Sequence, residues 1–167
     1  MSAVLQSAQM CPRENAPLFE AGAGVYVMSP DGRLLLVEQE RHGIRIWGGV
    51  GGGMEHGESL QGCAVRETRE ESGLRVHITK LLSVDEFWHG DQLAVIGLSF
   101  LAEPDDWPQD VVLQQIDGET LFHDYGWFGR DNLIGLEMWE FELCSSVWPT
   151  EVHTPFMRRL QFAALNR

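Results

Sequence analysis

Three glutamates spaced like side chains on one face of a helix constrain this chain more than any other feature. Residues 52–74, GGMEHGESLQGCAVRETREESGL, open with glycines and continue in helix-favouring composition up to Gly73, a residue type that commonly ends a helix. Within this stretch Glu67, Glu70 and Glu71 fall at i, i+3 and i+4, so on a helix they share one face. The rest of the chain has to be arranged around this acidic face.

The acidic face continues the apolar face of the predicted helix. At about 100° per residue, the three glutamates fall in the same arc of roughly 120° as the apolar residues that precede them. We therefore expect the acids to point towards the body of the domain. The apolar residues of this arc are Leu60, Cys63 and Ala64, and the residues outside it are Gln61, Arg66, Arg69 and Ser72.

Carboxylates placed in this way need a positive partner. They repel one another, and the last turn of a helix already carries negative dipole charge. Removing them from water without a partner would cost still more free energy. A divalent cation resolves the conflict, and sites made only of oxygen ligands suit the hard ions Mg²⁺ and Mn²⁺. The sequence therefore predicts a metal site at Glu67, Glu70 and Glu71.

The residues around these acids resemble the signature box of the Nudix hydrolases. Gly52 is followed by five residues and Glu58, then by seven residues and the run RETREESGL at residues 66–74. Seven fixed residue types agree, and at about 1 in 15 per type the chance of this is on the order of 10⁻⁸ per starting position. Thr68 departs from a usually aliphatic position, and Val50 from a position where proline is frequent. The resemblance implies an enzyme that cleaves nucleoside diphosphates linked to another group.

The resemblance also implies which residues bind metal. Glu67, Glu70 and Glu71 would hold one or more Mg²⁺ or Mn²⁺ ions, which neutralise the phosphates and lower the pKa of the attacking water. In the family a carbonyl of the glycine loop is a further ligand, and Gly51 or Gly52 is the matching candidate.

The remaining catalytic roles are less narrowly defined. Arg66 lies four residues before Glu70, so it can pair with that acid or hold Glu58. The general base is Glu67 or, second, Asp124, which lies in a segment resembling the one before the second helix of the family. The expected catalytic residues are accordingly Glu67, Glu71, Arg66 and Asp124, with Glu119 in reserve.

The candidates for substrate binding are arginines and aromatic residues outside the box. An aromatic face stacks on any nucleobase, although large aromatic side chains normally fill cores, which is the simpler explanation for each one. The substrate stays open among a nucleoside triphosphate, a nucleotide sugar, a dinucleoside polyphosphate and a capped RNA. The candidates are Arg41 and Arg45 for phosphate or sugar and Trp47, Phe87, Trp88 and Trp139 for stacking, while His123 fits a phosphate contact or a structural hydrogen bond.

Charge and composition limit the partners of the chain. A length of 167 residues and a hydrophobic content of 44% suit one ordered domain. The formal net charge of −13 disfavours non-specific nucleic-acid binding, because attraction to phosphates needs a basic surface. Metal ions can still bridge an acidic protein and a phosphate. The expected partner is therefore a small-molecule nucleotide.

The cysteines and the chain termini favour a cytoplasmic protein. Cys11, Cys63 and Cys144 are scattered and odd in number, which is typical of reduced thiols. The sequence contains no apolar run of membrane-spanning length and no signal-peptide pattern at its start, so we expect neither. Residues 1–17 are interpreted as a tail or arm, compatible with a homodimer, before a single domain at residues 18–167.

The order of predicted elements indicates an α+β fold. Two strand-like runs flank a Pro-Asp-Gly turn at residues 29–32, which is a good hairpin signal. A helix over residues 59–72 with Ser59 as its N-cap follows the glycines. Later strands are expected at residues 74–88 and 93–102, the second of them central in the sheet.

The last part of the chain is predicted to end in a helix. Residues 103–118 are interpreted as an acidic, solvated loop. Thr154 and Pro155 suit a helix start, after which apolar residues recur at helical spacing. The resemblance implies the same architecture, a three-layer α/β/α sandwich around a mixed β-sheet, known as the Nudix fold. The apolar residues of the C-terminal helix are Phe156, Leu160 and Ala163 or Ala164.

Two other functions are compatible with the fold. Isoprenoid diphosphate isomerisation would need a cysteine and a further acid placed for proton transfer, and only Cys63, within the box, is available nearby. A non-catalytic nucleotide-sensing or assembly module is the alternative outside enzymology. Such a module would be expected to lose metal ligands, and all three glutamates are present here.

Overall fold

The computed structural model describes residues 18–41, 43–114, 120–138, 147 and 156–161, and it builds them around one mixed β-sheet. A single α-helix and a short 3₁₀ helix complete this part of the chain. The strands are β1 Glu20–Met28, β2 Leu34–Arg41, β3 Ile44–Gly48, β4 Val50–Gly53, β5 Val76–His89, β6 Gln92–Pro104, β7 Leu121–Phe128 and β8 Phe156–Gln161, and the helices are α1 Leu60–Ser72 and the 3₁₀ helix Arg130–Leu133.

The strand order makes β6 central, as predicted. The main path of the sheet runs β3-β2-β1-β6-β5-β8, with β4 paired to β1 and β7 paired to β2. The pairs β1–β6 and β5–β8 are parallel, and the other pairs are antiparallel. The expected α+β class with a mixed sheet is confirmed.

Local signals correctly placed the first hairpin and the helix. The turn between β1 and β2 closes with a hydrogen bond from Gly32 N to Ser29 O at 2.9 Å, and Gly32 adopts a positive φ of 79°. Helix α1 begins after Ser59, whose hydroxyl accepts a hydrogen bond from Gly62 N at 3.0 Å. It ends at Gly73, which is left-handed at φ 75°.

The core is divided between the two faces of the sheet. Alternation along β2 sends Leu35 and Val37 to the face where α1 packs, and they share a cluster with Ala64 of that helix. Leu34 and Leu36 point the other way, into a second cluster. Any side chain of these strands can therefore be assigned to the helix face or to the opposite face.

The predicted C-terminal helix is wrong where the structure describes it, because residues 156–161 form strand β8. This strand pairs in parallel with residues 83–88 of β5. On its inward side Arg158 makes hydrogen bonds of 2.5 and 2.8 Å to the buried carboxylate of Asp85, whereas Met157 on the other side is 79% exposed. Pairing with the edge of β5 and the ion pair with the buried Asp85 favour a strand more than the apolar spacing favours a helix. Thr154, Pro155, Ala163 and Ala164 lie outside the described residues.

The predicted acidic loop is also only partly a solvated loop. Strand β6 extends to Pro104, and Val111 is buried in the cluster below α1. Beyond it, Val112 N donates to Ser72 O and Gln114 N donates to Glu71 O, each at 2.9 Å. This segment satisfies carbonyl groups at the C-terminal end of α1, which explains why it packs there instead of extending into solvent.

Candidate functional site

The three glutamates of helix α1 differ in their exposure to solvent. Glu71 is 8% exposed as a residue and buried, the Glu67 side chain is 13% exposed, and the Glu70 side chain is 41% exposed. Helical spacing places them on adjacent turns near the C-terminal end of α1. The acidic face therefore runs from the domain interior to its surface.

Arg66 joins three of the carboxylates. Its Nη1 lies 2.8 Å from Glu67 Oε1 and 3.0 Å from Glu70 Oε2. Its Nε and Nη2 form a two-point contact with Glu58 at 3.2 and 2.7 Å, and Nη2 also donates to Gly53 O at 3.0 Å. Sequence reasoning offered Glu70 or Glu58 as the partner of Arg66; the structure contains both contacts at once.

The ionisation of these groups follows their contacts. Hydrogen bonds from Arg66, followed by one from the backbone of Glu55, lower the pKa of Glu58 to about 2. The pKa of Arg66 is raised, first by its contact with Glu58. Burial raises the pKa of Glu67, even though Arg66 acts in the opposite direction. Ionisation of Glu67 is therefore disfavoured by its burial.

The glycine strand β4 approaches the acidic face through its backbone. Gly51 N donates to Glu71 Oε2 at 2.7 Å. A Cβ on Gly52 would lie 2.5 Å from Glu67 Oε1, and a Cβ on Gly51, whose φ is 150°, would overlap Ala23 O. Only glycine allows this close approach at both positions, so the strand supplies backbone groups directly beside two of the carboxylates.

The donor set fits a divalent cation by charge and by chemistry. Three carboxylates contact the Arg66 guanidinium and a fourth, Glu71, contacts Gly51 N, which leaves three negative charges in excess when all are ionised. The donors are oxygen atoms, which hard cations prefer. Within the part of the chain that the structure describes, three such side chains do not yet converge on one point. Arg66 occupies oxygen atoms of Glu67 and Glu70 that a cation would take.

Other predicted site residues lie on the opposite face of the sheet from α1. Trp47 packs against the second core cluster and makes an edge-to-face contact with Phe128 at 5.1 Å between ring centroids. Arg45 shares this face, where it pairs with Glu40 at 3.2 Å. Asp124 is the cross-strand partner of Glu38 on the same face. The structure does not bring Arg45, Trp47 or Asp124 to the carboxylate cluster.

The remaining candidates already have protein partners or are not described. Arg159 lies over the ring of Trp88, 3.8 Å from its centroid, and Trp88 Nε1 donates to Glu86 at 3.1 Å. His123 Nε2 lies 2.8 Å from Glu40 Oε2, the structural hydrogen bond that was one of its two interpretations. Phe87 packs over Gly97. The side chain of Arg41, together with Glu119, Trp139, Cys11, Cys144 and residues 1–17, lies outside the described residues.

Sequence reasoning missed two supports of the helix. Ser72, expected outside the inward arc, is fully buried, because its hydroxyl donates to Thr68 O at 2.6 Å and so needs no water. Thr68 does the same towards Ala64 O at 2.8 Å. The second support that sequence reasoning missed is the carbonyl of Gly53, which accepts a hydrogen bond from Arg66. The glycine run around this residue was its signal in the sequence.

Comparisons with known proteins show which family this chain is similar to. A family model described as "NUDIX domain" matches residues 18–143. An uncharacterized Nudix hydrolase YvcI from Bacillus subtilis is 31% identical over 59% of this chain and 62% of its own length. An RNA pyrophosphohydrolase from Roseobacter denitrificans is 25% identical over 94% of this chain and 96% of its own length. A NAD-capped RNA hydrolase NudC from Mycobacterium tuberculosis is 31% identical over 60% of this chain but only 30% of its own length.

Solved structures share the fold. A NUDIX hydrolase from Nitrosomonas europaea has a TM-score of 0.64 at 19% identity, covering 86% of this chain and 81% of that one. An ADP-ribose pyrophosphatase from Streptococcus suis has a TM-score of 0.58 at 18% identity, covering 84% and 100%. Among the described residues, helices fall short of the length and apolar character that a bilayer crossing requires. The chain belongs to the Nudix hydrolase family, as the box at residues 52–74 predicted.

Proposed function

We propose that this protein hydrolyses a phosphoanhydride bond in a nucleoside diphosphate linked to another group, with Mg²⁺ or Mn²⁺ as cofactor. The observation that carries the proposal is the carboxylate cluster at α1. Glu58, Glu67 and Glu70 contact Arg66, and Glu71 accepts a hydrogen bond from the glycine backbone of β4. Such an excess of desolvated negative charge would destabilise the folded protein without a cation.

The names of related proteins support the type of bond. One relative is named an RNA pyrophosphohydrolase, another a NAD-capped RNA hydrolase, and one structural neighbour an ADP-ribose pyrophosphatase. The groups in these names differ, so they leave the substrate of this chain open. A small nucleotide, such as a nucleoside triphosphate or a nucleotide sugar, fits the charge of −13 better than a long RNA.

The acids of α1 would hold the cation, and Arg66 would adjust to it. Glu67, Glu70 and Glu71 provide carboxylate ligands, and a carbonyl of the adjacent glycine strand is the further candidate. When bound, the cation neutralises phosphate charge and lowers the pKa of the attacking water. Arg66 would keep its two-point contact with Glu58 while Glu67 and Glu70 turn towards the ion.

Glu67 is the best candidate for the general base. Its pKa is raised by burial, which makes the carboxylate a stronger proton acceptor once it is ionised. It would take a proton from the attacking water as the new phosphorus–oxygen bond forms and the bridging oxygen leaves with the departing phosphate. Asp124 stays the second candidate, but it would have to act from the opposite face of the sheet.

The test is product release from a panel of nucleoside di- and triphosphates, nucleotide sugars and dinucleoside polyphosphates, with Mg²⁺ and with EDTA. We expect turnover that needs the metal and falls by about 10²-fold or more in Glu67→Gln and Glu70→Gln, because several kcal/mol of charge stabilisation disappear. The matched control is Glu103→Gln, an exposed carboxylate at the end of β6. Metal-independent turnover, or equal activity in all three variants, would contradict the proposal.

The same experiment separates the alternatives. Tight nucleotide binding by calorimetry without any turnover would favour the sensing module. Isoprenoid isomerisation has little support from Cys63, because its thiol is buried and burial raises its pKa to about 11.

The proposal includes three statements about the whole protein. We infer that residues 18–167 form one domain preceded by the arm at residues 1–17, that the protein is cytoplasmic, and that it forms a homodimer. The inference of a homodimer is the most direct of the three to test. Light scattering coupled to gel filtration would measure the mass of the full chain and of a chain that starts at residue 18. A monomer in both cases would remove the dimer and the role of the arm from the proposal.

A further inference from the structure

The glycine strand β4 begins where the chain changes its pairing partner. Strand β3 ends at Gly48, opposite Val37 of β2, and β4 begins at Val50, opposite Val25 of β1. Gly49 is the single residue between the two strands, and it lies against β1 so closely that an added Cβ would overlap Val25 O. The change of partner therefore leaves Gly49 between two ladders of backbone hydrogen bonds.

A side chain of β2 binds the backbone at this point. Gln39 Nε2 donates a hydrogen bond to Gly49 O at 3.0 Å. Alternation along β2 places Gln39 on the helix face of the sheet, as it does Val37. Gln39 is half-buried there, and its cross-strand neighbours are Ile46 and Phe122. The carboxamide thus satisfies a carbonyl that lies between the ladders.

Strand β4 depends on anchors at its two ends. Three of its four residues are glycines, which have no side chains to pack and the greatest backbone freedom. Its only larger side chain, Val50, is buried in the core cluster under α1. At the far end Arg66 Nη2 donates to Gly53 O at 3.0 Å. The hydrogen bond from Gln39 holds the near end.

The position of β4 decides how its backbone meets the acidic face of α1. Gly51 N donates to Glu71 Oε2 at 2.7 Å, and a Cβ on Gly52 would lie 2.5 Å from Glu67 Oε1. Gly51 is two residues beyond Gly49, so a shift of Gly49 would move this donor. The candidate carbonyl ligands of the proposed metal site belong to the same two glycines, Gly51 and Gly52.

We propose that Gln39 is a positioning residue of the metal site. Its carboxamide fixes Gly49 and so directs the backbone of β4 towards Glu67 and Glu71, while Gln39 itself touches neither metal nor substrate. Groups that orient metal ligands in this way typically change metal affinity or activity by about 10–100-fold when they are removed. The inference deepens the proposed hydrolysis, and its kinetic consequence rests on that function.

Gln39→Met tests the inference, because methionine is similar in size but has no N–H donor. We expect the Mn²⁺ affinity, measured by electron paramagnetic resonance, to fall by about tenfold or more. Without metal, hydrogen exchange of the Gly51 amide should accelerate by about five- to tenfold, as for the loss of one neutral hydrogen bond. With any substrate that the wild type hydrolyses, kcat should fall by a larger factor than KM rises.

The matched control is Gln109→Met. Gln109 Nε2 also donates to backbone carbonyls, to Arg75 O at 3.1 Å and to Asp106 O at 2.8 Å, and neither carbonyl belongs to β4. The control should keep the Mn²⁺ affinity and the Gly51 exchange rate of the wild type, even if its melting temperature falls as much as that of Gln39→Met. Equal Mn²⁺ affinity and equal Gly51 exchange in the two variants overturn the proposal.

Gln39→Glu answers the same question if thermal melting shows that Gln39→Met does not fold. Glutamate keeps the shape of the side chain, but its carboxylate accepts hydrogen bonds only and cannot donate to Gly49 O. The added negative charge alone would strengthen Mn²⁺ binding, whereas the loss of the anchor should weaken it. Mn²⁺ binding as tight as in the wild type, or tighter, then overturns the proposal.

The results distinguish this inference from the proposed function. If Glu70→Gln abolishes turnover while Gln39→Met behaves as its control, the positioning role falls and the hydrolysis stands. If Gln39→Met weakens Mn²⁺ binding and the wild type hydrolyses no member of the panel, the positioning role stands and the hydrolysis falls.

Discussion

At the scale of single residues, two glutamates that contact Arg66 have opposite pKa shifts. Glu58 accepts two hydrogen bonds from the guanidinium and a third from Glu55 N at 2.6 Å, and all of these favour its ionised form. Glu67 accepts one hydrogen bond from Arg66 and is less exposed, so burial outweighs that contact. Arg66 thus stabilises the ionised form of Glu58 beside Glu67, whose ionised form is disfavoured by burial.

The stability contributed by Glu58 should depend on pH. Its pKa is lower in the folded protein, about 2, than the ordinary value of 4.5, so the unfolded state binds more protons between these values. We expect the stabilisation relative to Glu58→Gln to be complete above pH 4.5 and to be lost as the pH falls towards 2. Urea unfolding of both proteins across this range measures it. A difference that stays constant with pH would show that Arg66 does not hold this carboxylate.

At the scale of elements, the site depends on β4 packing against α1. The strand can lie this close because Gly52 has no side chain where the carboxylate of Glu67 lies. The neighbouring Gly53 has open space around its Cβ position, so its backbone alone contributes, through its carbonyl and Arg66. Substitution by alanine should therefore have different effects at Gly52 and at Gly53.

Gly52→Ala should impair metal binding while leaving the fold intact. The new methyl group would displace the mobile end of Glu67, and disturbing the support of a metal ligand typically costs about 10–100-fold in affinity. Mn²⁺ titration followed by electron paramagnetic resonance gives the affinity, and circular dichroism checks the fold. Gly53→Ala is the matched control and should bind Mn²⁺ as the wild type does. Equal affinities in the two variants would mean that Glu67 is not a ligand.

Strand β8 is held by a buried ion pair that joins it to β5. The side chain of Asp85 is 3% exposed and accepts hydrogen bonds from Arg158 and from Ser83 Oγ, the latter at 2.8 Å. Arg159 follows Arg158 in the strand, and the one contact that the structure describes for its side chain is with the face of Trp88. Adjacent arginines in one strand therefore have very different surroundings.

Arg158→Met should destabilise the protein far more than Arg159→Met. The first substitution leaves a buried carboxylate without its cation, at a cost of about 3 kcal/mol. The second loses an exposed cation–π contact, worth about 0.5–1 kcal/mol. Urea denaturation of the two variants measures the difference, and Asp85→Asn combined with Arg158→Met should recover part of the loss. Equal destabilisation by the two single variants would argue against the pairing of β8 with β5.

At the scale of the whole molecule, the two faces of the sheet are chemically different. The helix face holds the carboxylate cluster with its excess of negative charge. On the opposite face, Arg45 and His123 both form hydrogen-bonded contacts with Glu40. Together with the net charge of −13, this arrangement gives the protein no broad basic surface in the part that is described.

The protein should not bind RNA non-specifically. Attraction between a nucleic acid and a protein comes mainly from phosphate neutralisation, which an acidic surface cannot provide. We expect fluorescence anisotropy of a labelled single-stranded RNA in EDTA at low salt to show binding weaker than about 10⁻⁴ M, beyond the usual non-specific range. Tighter binding that weakens steeply with salt would contradict this expectation and would favour a long RNA substrate.

The sequence by itself determined the elements whose signals are local. The helix Leu60–Ser72, its caps at Ser59 and Gly73 and the acidic face could be predicted, because the spacing i, i+3 and i+4 follows from backbone geometry alone. The box at residues 52–74, which contains these acids, identified the family. The hairpin turn at residues 29–32 was predictable for the same reason.

Only the tertiary structure decided which side chains meet. Strand β8 replaced a predicted helix because Asp85 and Arg158, 73 residues apart in sequence, form a buried pair across two strands. Arg45, Trp47 and Asp124 lie away from the carboxylates because strand register, which depends on distant partners, assigns them to the other face. Local spacing specifies an element and its faces, whereas pairing between distant strands specifies what each face meets.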